Sequence, residues 1–221
     1  MSAKALIIVD LQEDFCPPNG SLAVAGGRDI VSTINNLLAS PFFDFRVATQ
    51  DWHPQDHCSF ASNHPPPNNI PFESFATIVN PFNPDDSYET RLWPNHCVQG
   101  SPGSELIPEL NIFRVNRIVK KGQDKRVEMY SAFYDPFVPP VSVSELPQLL
   151  KDNAVGKVYV AGLAMDYCVR ATALDALKEG YETFLVEDAT KAVDPEEGWN
   201  DAKLEMEQKG IKFVQSTELG L

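Results

Sequence analysis

Val158-Tyr-Val-Ala-Gly-Leu-Ala-Met-Asp-Tyr-Cys-Val-Arg170 is the stretch that decides the fold. It opens as a short apolar run, passes through Gly162 and continues into Thr172-Ala-Leu-Asp-Ala-Leu-Lys178, whose apolar residues recur at helical spacing. The pattern predicts strand, tight turn and helix. Cys168 falls where the helix begins. Free backbone N–H groups and the positive end of the helix dipole favour a thiolate there. Most unpaired cysteines are small buried hydrophobes, so the thiol needs chemical partners before it reads as a nucleophile.

Working outward, the same alternation repeats. Residues 5–10, Ala-Leu-Ile-Ile-Val-Asp, are an apolar run ending in an acid, the pattern of a buried strand. Residues 11–27 hold Pro17, Pro18, Gly20 and a Gly26-Gly27 pair and read as loop. Ile30, Ile34, Leu37 and Leu38 predict a helix to about Ser40, and residues 45–51 a second strand, again ending in an acid. Residues 52–103 differ in kind. They are dense in proline, lack periodicity and carry all four histidines, His53, His57, His64 and His96. So long an irregular segment in a compact domain is usually functional, and it reads as an excursion across one end of the sheet. Residues 104–110 suggest a short helix and residues 114–122 a third strand closed by Gly122. A helix over 144–153, capped by Ser144, precedes the fourth strand at 157–161 and a helix from about Asp166 to Gly180. Strands at 182–188 and 211–215 flank a helix over 195–209. This order implies one domain over residues 1–221: a doubly wound, mostly parallel six-stranded sheet with helices on both faces.

The bulk numbers limit the function. The chain has 221 residues, 43% of them hydrophobic, which suits one α/β domain with a full core. A net charge of −13 argues against nucleic acid or an anionic membrane as the main partner. No run of 18 apolar residues occurs, and the N-terminus lacks a signal-peptide layout. The expectation is a cytoplasmic protein, or a nuclear one in a eukaryote, with Cys16, Cys58, Cys97 and Cys168 as free thiols. A homo-oligomer stays open.

In a parallel α/β sheet the ligand sits beyond the carboxyl ends of the strands. Asp10, Asp51, Lys121, Cys168 and Asp188 are the residues expected there. A thiol, a carboxylate and a lysine make an activated nucleophile. Asp10 would take the thiol proton and deliver it to a leaving amine. Strand alternation admits only one of Lys120 and Lys121, and Lys121 is chosen as the last residue before Gly122. Asp188 reads as structural. In Asp51-Trp-His53 the residues two apart face the same way, so a carboxylate and an imidazole can share one metal ion. The other three histidines are the candidates for a third ligand. N/O ligands point to zinc first, then iron or manganese. Among the aromatics near these positions are Phe15, Trp93, Tyr130, Phe133 and Tyr167. Phe15 and Trp93, with Tyr167 beside the thiol, suggest a slot for a planar ligand.

These pieces resemble one family. Ile8-Val-Asp10-Leu-Gln-Glu-Asp-Phe15, Thr49-Gln-Asp51-Trp-His53-Pro, Leu92-Trp-Pro-Asn-His96-Cys-Val, Val119-Lys-Lys121-Gly and Gly162-Leu-Ala-Met-Asp-Tyr-Cys168-Val are similar to the motifs of nicotinamidases, in their order and across nearly the whole chain. Those enzymes sit in the cysteine-hydrolase group that also holds isochorismatase-like proteins, and the Trp-Pro-x-His-Cys piece looks most like the metal-containing, eukaryotic type. The resemblance implies a triad of Asp10, Lys121 and Cys168, and a metal held by Asp51, His53 and His96. It also implies an oxyanion hole from the N–H groups of Ala164 and Cys168, with a cis peptide before Ala164. The metal would hold the pyridine nitrogen of nicotinamide. The expected reaction is hydrolysis of nicotinamide to nicotinate and ammonia, with pyrazinamide-like ring amides as further substrates.

Two other readings differ in class. An isochorismatase-like or carbamoyl-amide hydrolase would generally lack the metal, so Asp51, His53 and His96 speak against it. A non-catalytic ligand- or metal-binding protein on this fold would keep the pocket without turnover.

Overall fold

The computed structural model describes residues 2–220. In chain order the elements are β1 (Ala3–Val9), α1 (Val31–Ala39), β2 (Phe45–Asp51), β3 (Phe75–Asn80), β4 (Asn83–Arg91), β5 (Arg117–Lys121), α2 (Leu146–Asp152), β6 (Val155–Leu163), α3 (Arg170–Lys178), β7 (Glu182–Lys191), α4 (Glu197–Lys209) and β8 (Lys212–Val214). Six strands form one sheet in the order β5-β2-β1-β6-β7-β8, every neighbouring pair parallel. The doubly wound sheet expected from the sequence is the one observed.

β1 lies inside the sheet because it is apolar on both faces. Leu6 and Ile8 enter the core that holds Ile34, Leu37 and Leu38 of α1. Ala5, Ile7 and Val9 enter the opposite core, with Leu146 and Leu150 of α2, Ala173 and Ala176 of α3, and Ala202 and Met206 of α4. The alternation is the period-two signature of a strand covered on both faces. The chain leaves β1 toward β2 and β5, then returns to place β6 on the other side of β1. That reversal opens a crevice at the carboxyl ends of β1 and β6.

Four local expectations are corrected. The excursion contains an antiparallel hairpin, β3 with β4, so it is not structureless throughout. Residues 104–110 form no helix. A single 3-10 turn at Pro102–Ser104 is followed by Leu106 bridging Gln12 and by Ile107 N–H on the Leu11 carbonyl at 3.0 Å. Pro108 lacks the N–H a helix would need there. β7 runs on past Asp188 to Lys191, and the Asp188 carboxylate accepts the Ser216 N–H at 2.8 Å and the Ser216 hydroxyl. Its structural reading holds. Finally, Cys168 sits inside one wide π turn, Met165–Val169, and α3 starts at Arg170.

That turn depends on a close approach. Gly162 has φ +112°, and a Cβ on it would lie 2.1 Å from the Val9 carbonyl oxygen. The Leu163–Ala164 peptide that follows is cis. All four cysteines are free, and among the described residues no helix is long and apolar enough to cross a membrane. Gly162→Ala is expected to cost about 3 kcal/mol, since both the backbone conformation and the contact with β1 oppose it. Urea unfolding of the variant beside wild type measures this, and an unchanged midpoint would refute the close-approach argument.

Candidate active site

Lys121 ends β5, and alternation turns it inward. Lys120 points out onto the Trp52 ring, 3.3 Å from its centroid. The buried Lys121 Nζ lies 2.9 Å from Asp10 Oδ2, 2.5 Å from Asp51 Oδ1 and 3.4 Å from Cys168 Sγ. It also donates to the Met129 carbonyl at 3.3 Å. Burial alone would strip its proton, but the carboxylates of Asp10 and Asp51 outweigh burial and hold it as an ammonium.

Asp10 follows β1 in the left-handed region, φ 46°. The Thr49 hydroxyl orients it, accepting the Asp10 N–H at 3.1 Å and donating to Oδ1 at 2.6 Å. Its other oxygen makes an ion contact with Lys121 rather than a directed hydrogen bond. Burial raises the Asp10 pKa to about 6, against the opposing pull of Lys121. Burial also pushes the Cys168 thiol well up, and Lys121 offsets this only in part. This corrects the sequence expectation of a thiolate at the helix start: desolvation outweighs the helix dipole, and a base is needed to ionise the thiol.

Beside this group Asp51, His53 and His96 bring one ligand atom each within 4.8 Å of the others, all three buried. His53 Nδ1–H faces the Gly122 carbonyl at 2.8 Å and His96 Nδ1–H the Pro94 carbonyl at 2.8 Å. Both rings thereby keep Nε2 as the free nitrogen, the arrangement seen around metal-ligating histidines. Gly122, φ +66°, allows the first contact, because a Cβ there would lie 2.4 Å from the His53 ring. Burial outweighs other influences on His96 and lowers its pKa to about 4, so it stays neutral. Burial acts on His53 in the same sense, but Asp51, 3.5 Å away, raises it overall. Burial would raise Asp51, yet Lys121 and His53 hold it well below the carboxylate range. The donor set suits a divalent ion. His64 turns away to the Cys58 carbonyl at 2.7 Å. His57 stacks on His53 with centroids 4.0 Å apart, bonds Ser59 Oγ through Nδ1 at 2.8 Å, and leaves its buried Nε2 without a partner. The Cys97 thiol is not part of the cluster.

Both groups face one cavity, lined among others by Phe15, Trp93, Ala164, Tyr167 and Cys168. Trp93 and Tyr167 meet edge to face at 4.9 Å, and Phe15 lies 5.5 Å from the His96 ring. Thr49 and Glu128 escape the sequence reading, which marks Tyr130 only as an aromatic near the site. Thr49 carried the signal of lying two residues before Asp51 on a strand whose end was already singled out. Tyr130 holds the Trp93 indole N–H at 3.0 Å. Glu128 lines the cavity with a carboxyl that burial pushes up, and its Oε1 accepts the Met129 N–H at 2.9 Å. It comes from an irregular segment with no pattern to mark it.

Comparison with known proteins finds one family and one fold. A family model described as the isochorismatase domain matches residues 4–218. A nicotinamidase of Acinetobacter baylyi is 39% identical over 97% of this chain and 94% of its own length. The structure of the yeast nicotinamidase bound to the inhibitor nicotinaldehyde superposes with a TM-score of 0.89 at 34% identity, covering 96% of this chain and 99% of the other. A pyrazinamidase of Pyrococcus horikoshii in complex with zinc gives 0.73 at 36% identity, over 96% and 99%.

Lys121→Met would leave Asp10 and Asp51 buried side by side without the counter-charge they share. A loss of about 3–5 kcal/mol is expected in urea unfolding at neutral pH. The deficit should narrow in acid, where protonation of either carboxylate relieves the repulsion. A variant as stable as wild type at every pH would contradict the role of Lys121 as counter-ion.

Proposed function

The chain belongs to the isochorismatase domain family, and from that premise we propose that it hydrolyses nicotinamide to nicotinate and ammonia through a cysteine thioester, as a step in NAD salvage. The observation that carries the reading is the meeting of Lys121 with Asp10 and Cys168 beside the Asp51, His53 and His96 cluster, on one aromatic-lined cavity. The whole chain acts as one hydrolase domain in this reading.

Asp10 takes the Cys168 proton, and the sulfur attacks the carboxamide carbon. The developing oxyanion is held by the N–H groups of Ala164 and Cys168. As the tetrahedral intermediate collapses, Asp10 gives its proton to the departing nitrogen and ammonia leaves. Asp10 then draws a proton from water, which cleaves the thioester. The proton returns to the thiol as the acid is released. Lys121 keeps its charge throughout and stabilises whichever of Asp10 and Cys168 is the anion. Phe15, Trp93 and Tyr167 bound the slot for the ring. Asp51, His53 and His96 would hold a divalent metal, zinc first by ligand type, with iron or manganese after it. When bound, that ion supplies a Lewis acid for the pyridine nitrogen and so orients the ring. The zinc-bound pyrazinamidase supports this assignment, and ring amides such as pyrazinamide fall within the same slot.

Ammonia release from nicotinamide tests the reading. Cys168→Ala should lower it at least about a thousandfold. Activity that survives this change would sink the mechanism, whereas a wild type inert on nicotinamide but active on other amides would remove only the substrate. The base adds a pH signature. Below about 6 Asp10 is protonated and cannot accept the thiol proton, so kcat/KM should fall about tenfold per pH unit on the acid side. A profile flat down to pH 4 would exclude Asp10 as the base.

A further inference from the structure

Gln12 and Asp14 lie in the segment after β1, and neither takes part in the mechanism above. Gln12 is fully buried. Its Oε1 accepts the Asp51 N–H at 2.8 Å, and its Nε2 donates to the Asp51 carbonyl at 2.8 Å. One primary amide thus closes on both polar groups of a single main-chain residue. Nε2 also donates to the Ser104 carbonyl at 2.8 Å, which engages both of its hydrogens.

Asp14 does the corresponding work for the histidines. Its Oδ2 accepts the Cys97 N–H at 2.7 Å, and Cys97 directly follows His96 in the chain. Cys97 is held at φ 47°, and its carbonyl accepts the His53 N–H at 3.0 Å. The Asp14 carboxylate lies tight against Gly103, where a Cβ would come within 2.1 Å of it. Two side chains from one short segment therefore bond the main chains of Asp51 and Cys97, and Cys97 in turn follows His96 and holds the His53 N–H.

We propose that Gln12 and Asp14 are positioning residues of the metal centre, which fix the main chains bearing its three ligands and thereby set metal affinity. The proposal rests on the metal reading given above. Ligand atoms must be placed to within about 0.5 Å, and two of the three ligands lie in or beside an irregular excursion that cannot supply such rigidity alone. Partners behind the ligands typically govern affinity by about 10–100-fold. A role in stability alone predicts something different: a lower melting temperature with unaltered metal binding.

The test is the zinc dissociation constant of the full-length protein, measured by competition with a chromophoric chelator. The visible spectrum of the cobalt(II)-substituted protein gives a second readout, and thermal melting confirms folding. Gln12→Glu keeps the shape and the acceptor but turns a carboxylate oxygen toward the Asp51 and Ser104 carbonyls. Asp14→Ala removes the acceptor for Cys97. Both should weaken zinc about 10–100-fold and change the cobalt spectrum. Asp14→Asn retains an acceptor oxygen and should bind zinc as wild type does. Folded Gln12→Glu and Asp14→Ala proteins with wild-type zinc affinity overturn the proposal, whatever their melting temperatures. Should either fail to fold, Gln12→Asn, which holds its amide one methylene short, is judged by the same criterion. A wild type that binds neither zinc nor cobalt overturns the metal reading and the proposal together. A wild type that binds zinc beside unaltered variants overturns the proposal alone.

Discussion

A buried ammonium group governs this structure. Removing Lys121 Nζ from water is costly, and the cost is met only if anionic and polar groups surround it at hydrogen-bond distance. Four adjacent strands supply the group and its partners. Lys121 ends β5, Asp51 ends β2, Asp10 follows β1 and Cys168 follows β6, the spatial order of four of the six strands. Asp51 and Lys121 are direct cross-strand partners, as are Val9, just before Asp10, and Gly162, near the end of the strand that leads into the Cys168 turn. A slip of one residue in any of these pairings would turn a charged side chain into an apolar core. The register that buries the apolar faces therefore also assembles the charges.

The charges then divide the labour. Asp51 gives Oδ1 to Lys121 and turns Oδ2 toward His53, so one carboxylate serves both the triad lysine and the ligand cluster. With that much positive charge around it, Asp51 stays ionised, while Asp10, equally buried, sits near 6. Two carboxylates on neighbouring strands thus acquire different characters from their surroundings, one a permanent anion and one a group able to exchange a proton near neutrality. The thiol is raised by burial as well, so in the proposed mechanism it holds its proton until Asp10 takes it. Two carboxylates face one ammonium at this end of the sheet, and the concentration of anionic groups beside the imidazoles is in keeping with a divalent cation there.

The parts of this design that follow a period were legible in the sequence. The six parallel strands and the helices between them follow from alternation and helical spacing, and the choice of Lys121 over Lys120 from its place just before Gly122. Asp10, Asp51 and Lys121 were found because short apolar runs mark where strands end. What the sequence hid was set by contacts between distant residues. The β3–β4 hairpin lies inside the proline-dense excursion and buries little, only Ile78, Asn80 and Thr90 of its residues being buried. Residues 104–110 have helical composition, but their backbone groups pair instead with residues 11 and 12. The ionisation of Cys168 was misjudged because local sequence reports the helix start and says nothing of burial from six sides. Glu128 and Tyr130 reach the cavity from an irregular segment whose path only tertiary packing fixes.

The remaining question is how a long loop can carry ligands for a centre that demands sub-ångström placement. β2 ends at Asp51, and the chain must travel through the hairpin before His96 comes back over that strand end. Nothing periodic fixes its return. The answer lies in the segment that follows β1. Asp10 begins it, and Gln12 and Asp14 extend it into the main chains of Asp51 and Cys97. Phe15 ends it against the His96 ring. One rigid continuation of an inner strand thus touches the base, the ligand cluster and the wall of the cavity. A reacting carbon held by the ring must meet a sulfur held by β6, and a small error between the two would slow the reaction severely. Anchoring both halves to the strand between β2 and β6 keeps that distance independent of how the outer loop moves.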